Sequence, residues 1–332
     1  LRLNIPTVFV SGGPMEAGRM LGDRIVSGAP DEGGSVRLDL IDAPSRTLVA
    51  AQRAMVSGVA SQGGRTIAVG PRGLILLSED GGVSWRQVGS PVSTDLTTVR
   101  FASSGVAWAV GHDAVALRSP DGGASWTRVL DGRAVLTLLR DSAKGSEERE
   151  AEIQRTVGQS ATADVWPAPL LDIWFAPDGL AGFAVGGFGL ILKTSDAGNT
   201  WLPWLWKTDN DQRYHLYALA GGEGGVFVAG EQGLVMHLDA TTQRFKRVQT
   251  PYNGSFFGIA QFGARLLAYG LRGNAFLRQD DCVLLSLCRL ARHCRGVSPV
   301  FPLALFRPVV ECIQRDPLRS FHDVLTTGTL DH

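Results

Sequence analysis

The chain has 332 residues, 44% hydrophobic and 8% aromatic, enough to bury a large core in one β architecture or two smaller domains. Lys plus Arg and Asp plus Glu number 32 each, so no global charge argues for nucleic acid or an anionic membrane as partner. Glycine occurs 41 times without a collagen period, which announces many tight turns, and no run approaches the roughly 18 to 20 apolar residues of a membrane helix.

In chain order, residues 1–46 form an atypical N-terminal segment. Within RLNIPTVFVSGGPMEAGR, 2–19, the stretch 6–13 reads as one strand and a Gly-Gly turn. A phosphate loop would need a helix and a Lys to follow, and no Lys follows. No basic region leads into an unbroken apolar core, so no signal peptide is read here.

A repeat begins at residue 47. It appears as IAVGPRGLILLS (67–78), WAVGHDAVALRS (108–119), FAVGGFGLILKT (183–194), FVAGEQGLVMHL (227–238) and LAYGLRGNAFLR (267–278). Its marker glycines, Gly70, Gly111, Gly186, Gly230 and Gly270, stand 41, 75, 44 and 40 residues apart. A period near 40 means a repeat architecture. Each copy holds four short strand-like runs separated by turn residues, one antiparallel meander. A meander cannot bury both faces alone, whereas several packed radially can. The expected fold is therefore an all-β β-propeller of four-stranded antiparallel blades, about five of them recognisable over 47–281.

Between the third and fourth strands a turn recurs: SEDGGVSW (78–85), SPDGGASW (119–126) and TSDAGNTW (194–201). Gly82, Gly123 and Gly198 supply a positive φ, and Asp80, Asp121 and Asp196 bond amides of their own turn. The hydroxyls of Ser78, Ser119 and Thr194 belong to the same loop. Trp85, Trp126 and Trp201 start the outer strand and pack across the hairpin. The fourth copy, LDATTQRF (238–245), keeps an aromatic at the Trp place but lacks the Asp and Gly register.

The 75-residue interval contains an insertion, 131–165, expected to be a helical hairpin with Val135, Leu138 and Leu139 as its apolar stripe and Ser146 starting the second helix. Such a hairpin is a solvated excursion or a docking arm for a partner. The loop joining strands two and three carries Arg72, Asp113, Phe188, Gln232 and Arg272. All five are expected to project from one face and converge near the channel mouth, where the two arginines suit a carboxylate or a backbone carbonyl. WLPWLW, 201–206, reads as packing rather than a sugar platform.

From Cys282 the blade pattern stops. The tail, 282–332, holds all four cysteines, Cys282, Cys288, Cys294 and Cys312. Their spacing matches no tight CxxC pair, so no metal site is assigned even with His293 nearby. The tail is expected to be sequence foreign to a propeller, as a frameshift or truncated reading frame would give, or else a short helical appendage around 283–295.

The pattern S/T-x-D-x-G-x-x-W is the Asp box, or bacterial neuraminidase (BNR) repeat. Together with AVGxxGxxL, it makes 47–281 resemble the photosystem II stability/assembly factor family of β-propellers. The resemblance implies a usually seven-bladed, non-enzymatic protein without cofactor, acting outside the cytoplasm (periplasmic in bacteria) and holding a protein partner, which in photosynthetic relatives is a photosystem II reaction-centre subunit. Separately, 2–19 resembles an internal motif of the dihydroxy-acid dehydratases, but that family's cluster cysteines have no counterpart before Cys282, and no catalytic residue is carried over.

The rival reading is an Asp-box glycosidase of the sialidase kind, which needs an acid and a nucleophile across the glycosidic bond, with a Tyr nucleophile and an arginine cluster for sialic acid. Tyrosines are few: Tyr214, Tyr217, Tyr252 and Tyr269, the last within an apolar strand. His112, His215 and His237 show no triad spacing. A non-enzymatic binding module is the expectation.

Overall fold

Five successive meanders form in the computed structural model, which describes residues 39–103, 105–158, 164–263, 265–278 and 285–286. Blade 1 consists of β1 (Gly58–Gln62), β2 (Arg65–Gly70), β3 (Leu74–Ser78) and β4 (Arg86–Val88). Blade 2 comprises β5 (Leu96–Ser103), β6 (Val106–Gly111), β7 (Ala116–Ser119) and β8 (Thr127–Leu130). Two helices follow, α1 (Gly132–Ala143) and α2 (Glu147–Val157). Blade 3 is β9 (Leu170–Phe175), β10 (Gly182–Gly186), β11 (Ile191–Thr194) and β12 (Leu202–Pro203). Blade 4 is β13 (Leu216–Gly222), β14 (Gly225–Gly230), β15 (Val235–Asp239) and β16 (Arg244–Val248). Blade 5 is β17 (Phe256–Phe262), β18 (Arg265–Gly270), β19 (Ala275–Arg278) and β20 (Leu285–Ser286).

Within each blade the strands hydrogen-bond in sequence order, antiparallel throughout. The first strands of successive blades, β1, β5, β9, β13 and β17, pack side by side and so form the inner wall of the arc. This is a β-propeller architecture. By contacts the chain divides into two units, Leu1–Cys288 and Arg289–His332, and every described residue lies in the first. The stretch 2–19 and the four cysteines lie outside the described residues, whereas β20 falls inside the segment read as tail.

The middle strands are buried on both faces, which is why they read as continuous apolar runs rather than alternating ones. In blade 1, Ile67, Val69, Ile75 and Leu77 enter a core shared with Val99 and Leu117 of blade 2. Ala68, Leu74 and Leu76 point the other way and are covered by Ala51 and Val56. Residues 39–56 thus seal the blade face that has no described blade in front of it. Leu48 N–H donates to Gln87 Oε1 at 2.8 Å, and Ser45 N–H to Ser90 O at 2.9 Å.

The three Asp boxes superpose in their bonding. The Ser78, Ser119 and Thr194 hydroxyls donate to Asp80, Asp121 and Asp196 at 2.7, 2.8 and 2.9 Å, and accept the N–H of Gly82, Gly123 and Gly198. The carboxylates also take the hydroxyl and N–H of Ser84, Ser125 and Thr200. Indole Nε1 of Trp85, Trp126 and Trp201 donates to the carbonyl of the box glycine, and those glycines have φ of 96°, 97° and 79°.

The box tryptophans do not merely close their own hairpin, as expected from sequence. Trp126 and Trp201 reach the preceding blade. Trp126 joins the core containing Ile67, and Trp201 lies edge-on to Trp108 with ring centroids 6.0 Å apart. In the fourth blade Phe245 takes the Trp place and meets Phe183 edge-on at 5.2 Å. A Cβ on Gly198 would stand 2.4 Å from the Trp108 ring. The box is therefore an inter-blade wedge as well as a turn.

Hydrogen bonds from Ser125 first, then from Ser119, hold the Asp121 carboxyl down at about 2. Asp80 and Asp196 are lowered by the same arrangement, led by Ser84 and Thr200. A folded value below the ordinary carboxylate value gives stability that is complete above about pH 4 and lost as pH falls toward 2. The stability deficit of Asp121→Asn in urea denaturation should accordingly be full at pH 7 and fade between pH 4 and 2. A deficit independent of pH would refute the assignment.

The insertion is docked rather than solvated. Asp131 caps α1 by accepting the N–H of Arg133 and Ala134 at 3.0 Å each. Its buried face is Gly132, Val135, Leu136, Leu139 and Ala143, which adds Leu136 to the expected stripe, while Leu138 packs half-buried against the same core. From α2, Ile153 and Val157 join the main core. Glu152 accepts the Trp206 indole N–H at 3.0 Å and pairs with the Arg213 guanidinium, while Arg149 lies over the Trp206 ring at 5.0 Å. Trp201 and Trp204 are buried, which leaves WLPWLW as packing.

Candidate functional site: the loop face and the channel mouth

Arg72, Asp113, Phe188, Gln232 and Arg272 occupy the same place in five consecutive blades, the tight turn between strands two and three. All five are left-handed, with φ of 55°, 55°, 54°, 52° and 60°. Repetition of a conformation unfavourable to side chains points to a common cause. In blade 1 the Arg72 N–H donates to Asp95 Oδ1 at 2.8 Å, and in blade 3 the Phe188 N–H donates to His215 Nδ1 at 2.8 Å. Asp95 and His215 each immediately precede the first strand of the next blade. In these two blades the left-handed residue thus turns its amide onto the entrance of the neighbouring blade. Asp113 makes no such link and instead accepts Thr94 Oγ1 at 2.6 Å, from the entrance of its own blade.

This divides the five. Asp113 and Phe188 are half-buried, Phe188 against His215 of the next blade, while Arg72, Gln232 and Arg272 are exposed. The guanidinium groups of Arg72 and Arg272 make no hydrogen bond or ion pair among the described residues. No hydrogen bond, ion pair or ring contact joins any two of the five side chains, so they form an arc of loops rather than a cluster. The inner wall beneath them is made by strand one of each blade.

Residues that sequence reasoning missed stand on that inner wall. Strands β5, β9, β13 and β17 each carry a one-residue bulge near their start, at Thr97, Leu171, Tyr217 and Phe257. A bulge leaves one residue unpaired and re-aims its side chain. Thr97 Oγ1 bonds Val110 O at 3.0 Å within its blade and Leu170 O at 2.8 Å in the next, and Ser57 makes the equivalent pair with Val69 O and Leu96 O. Blades 3 to 5 have Leu, Tyr and Phe there instead.

A row of rings follows. Phe188 meets His215 at 5.3 Å, His215 meets Tyr217 at 6.4 Å, and Tyr217 meets Phe257 at 5.2 Å, all edge-to-face. Beside it, Glu231 accepts the His215 N–H at 2.8 Å and the Tyr217 hydroxyl at 3.3 Å. Burial, then the Glu231 charge, push the Tyr217 phenol up to about 12.

Farther along the wall, Arg100 of β5 grips Asp172 of β9 with two bonds, 3.0 and 2.9 Å, and Asp172 also accepts the Leu219 N–H of β13 at 2.9 Å. One buried carboxylate therefore joins three blades. The Asp172 charge, opposed by burial, raises the Arg100 pKa, and Tyr269 of blade 5 adds to it. His237 stacks on Phe227 at 4.3 Å and bonds Gly224 O, a packing role. Among the described residues no group of His, Cys, Asp and Glu could hold a metal, and no helix is long and apolar enough to cross a membrane.

Five four-stranded sheets packed through their first strands, three of them closed by Asp boxes, make the described part of the chain a β-propeller with BNR-type repeats. Residues 151–259 match the family model described as photosynthesis system II assembly factor YCF48. The likeness to photosystem II assembly factor-like propellers read from the sequence thus holds over that region. Solved structures with similar folds include YCF48 bound to D1 peptide, 16% identical, covering 70% of this chain and 68% of that one with a TM-score of 0.47. YCF48 from Cyanidioschyzon merolae is 15% identical over 68% of this chain and 66% of that one, TM-score 0.45. The GH74 enzyme of Niastella koreensis is 13% identical over 70% of this chain and 38% of that one, TM-score 0.50, a likeness of fold alone.

Proposed function

We propose that the protein is a non-enzymatic binding module that acts outside the cytoplasm and holds a segment of a partner protein on its loop face. The family model over 151–259, which describes an assembly factor, supports this reading. The observation that carries it is the pair of exposed arginines, Arg72 and Arg272, presented on rigid left-handed turns with their guanidinium groups unengaged among the described residues. Such groups suit a carboxylate or a row of backbone carbonyls.

The glycosidase reading draws on Tyr217 and Glu231, the Tyr–carboxylate hydrogen bond of the inner wall. A phenol pushed up to about 12 holds its proton, the reverse of an activated nucleophile. The test is binding to immobilised peptides with free terminal carboxylates. Arg72→Ala with Arg272→Ala should weaken capture by ~10-fold or more, since charge-assisted hydrogen bonds contribute about 1.5–3 kcal/mol. Thermal unfolding should be unchanged. Equal capture by parent and double variant, or turnover of fluorogenic glycosides abolished by Tyr217→Phe, would overturn the proposal.

A further inference from the structure

Lysine is rare in this chain. Of the 32 Lys plus Arg residues only Lys144, Lys193, Lys207 and Lys246 are lysine. Two of them are tied to carboxylates, Lys144 to Asp141 at 2.7 Å and Lys246 to Asp239 at 2.6 Å. The other two meet on a single indole: Lys193 Nζ lies 4.4 Å and Lys207 Nζ 3.8 Å from the centroid of the buried Trp204 ring. Neither forms an ion pair among the described residues, and Lys193 has the uncharged Gln243 Oε1 as its hydrogen-bond acceptor, at 3.1 Å. The acids of the adjoining segments are engaged elsewhere, Asp196 by the Thr200 hydroxyl, Asp209 by Arg244 and Asp239 by Lys246. Lys193 pairs in register with Phe183 and Leu202, one residue before the box hydroxyl of Thr194. That is the end of β11 remote from the Phe188 turn, so the pair is separate from the loop face.

One ammonium on an indole is a favourable contact. A second on the same ring, with no carboxylate to neutralise either, disfavours the charged form of the more buried amine. Lys193 is that amine, half-buried against Phe183 and Trp204, whereas Lys207 is exposed. Burial first, then the Lys207 charge, lower its pKa, while the bond to Asp141 raises that of Lys144. We infer that Lys193 is a nucleophilic amine and a site of N-acylation by small acyl phosphates. Its unprotonated Nζ attacks the acyl carbon and a C–N bond forms. The bond from that carbon to the phosphate oxygen breaks, its electron pair leaves with the phosphate, and the phosphate takes up the proton released by Nζ. The amide so formed is uncharged, which removes the repulsion with Lys207 and leaves one cation on the Trp204 ring.

The test treats the folded full chain with acetyl phosphate over a series of pH values and reads acetylation lysine by lysine from peptide mass spectra. Lys193 should react faster than Lys144 and Lys246 by about 5-fold or more, the advantage of a desolvated amine beside a second cation. Its rate should rise at lower pH than that of Lys144. Lys207→Gln removes the neighbouring charge from an exposed position. It should slow Lys193 by about 2-fold or more and move its pH profile upward, with Lys144 and Lys246 unchanged. In guanidinium chloride, which separates Lys193 from Trp204 and Lys207, the preference should disappear. A Lys193 rate no greater than those of Lys144 and Lys246, a pH profile coincident with that of Lys144, or indifference to Lys207→Gln overturns the inference. So does a preference that persists in the unfolded chain, because it would then come from the flanking sequence and not from the paired cations.

Discussion

Trp201→Ala is expected to lower the unfolding free energy by about 4 kcal/mol, the range for deleting a large buried aromatic. Trp201 is 3% exposed and lies edge-on to both Trp108 of blade 2 and Phe175 of blade 3. Its removal opens a cavity between two blades that rigid strands on either side cannot close. The same substitution at Trp85 provides the control. Trp85 makes the same indole bond to its box glycine, but it is half-buried and faces residues 39–56 instead of a blade. Trp85→Ala should lose about 1–2 kcal/mol, in proportion to the smaller area removed from water. Urea denaturation of the two variants checks this. Equal losses would show that the hairpin bond, not the wedge between blades, is what the tryptophan contributes.

Asp172→Ala is the second large effect. The carboxylate is 4% exposed and holds Arg100 from blade 2 and the Leu219 amide from blade 4. Breaking a buried pair by removing one partner costs about 3–5 kcal/mol. The Arg100 side chain is 49% exposed, so water compensates part of its stranded charge and the loss should fall near about 3 kcal/mol. Asp172→Asn retains an acceptor for the Leu219 amide and should lose less. Arg100→Ala, by contrast, leaves the buried carboxylate without its cation. A double-mutant cycle between positions 100 and 172 measures the coupling, and additivity within error would show that the pair contributes nothing jointly.

Much of the fold was legible because a propeller blade repeats. The interval near 40 residues, the paired apolar runs and the S/T-x-D-x-G-x-x-W turns locate five blades, and the structure has a four-stranded sheet at each. Phe245 shows why a decayed box still worked: an aromatic at the Trp place is sufficient to fill the groove, while Asp239 caps its own altered turn by accepting the N–H of Thr241 and Thr242. The docking of the insertion was not legible. Its contacts are Glu152 with Arg213 and Trp206, residues more than 50 positions apart whose approach depends on where blade 3 ends.

The candidate site was half visible. The loop residues follow from counting past each marker glycine, but the tethers of Arg72 to Asp95 and of Phe188 to His215 involve the next blade. Leu171, Tyr217 and Phe257 could have been found by aligning the second residue after each strand-one entrance, since Ser57 and Thr97 fall in register with them. Strand alternation hid them, because a bulge breaks the two-residue period by which faces are assigned.

By itself, then, the sequence determined the repeat, the blade hairpins and the turns that pin them, all of which depend on groups within about 40 residues of one another. Only the tertiary structure decided what lies between blades: the wedging of Trp126, Trp201 and Phe245 on the preceding blade, the three-blade carboxylate and the ring row of the inner wall. Those contacts join side chains brought close by the curvature of the whole arc, and no local pattern of residue types encodes that closeness.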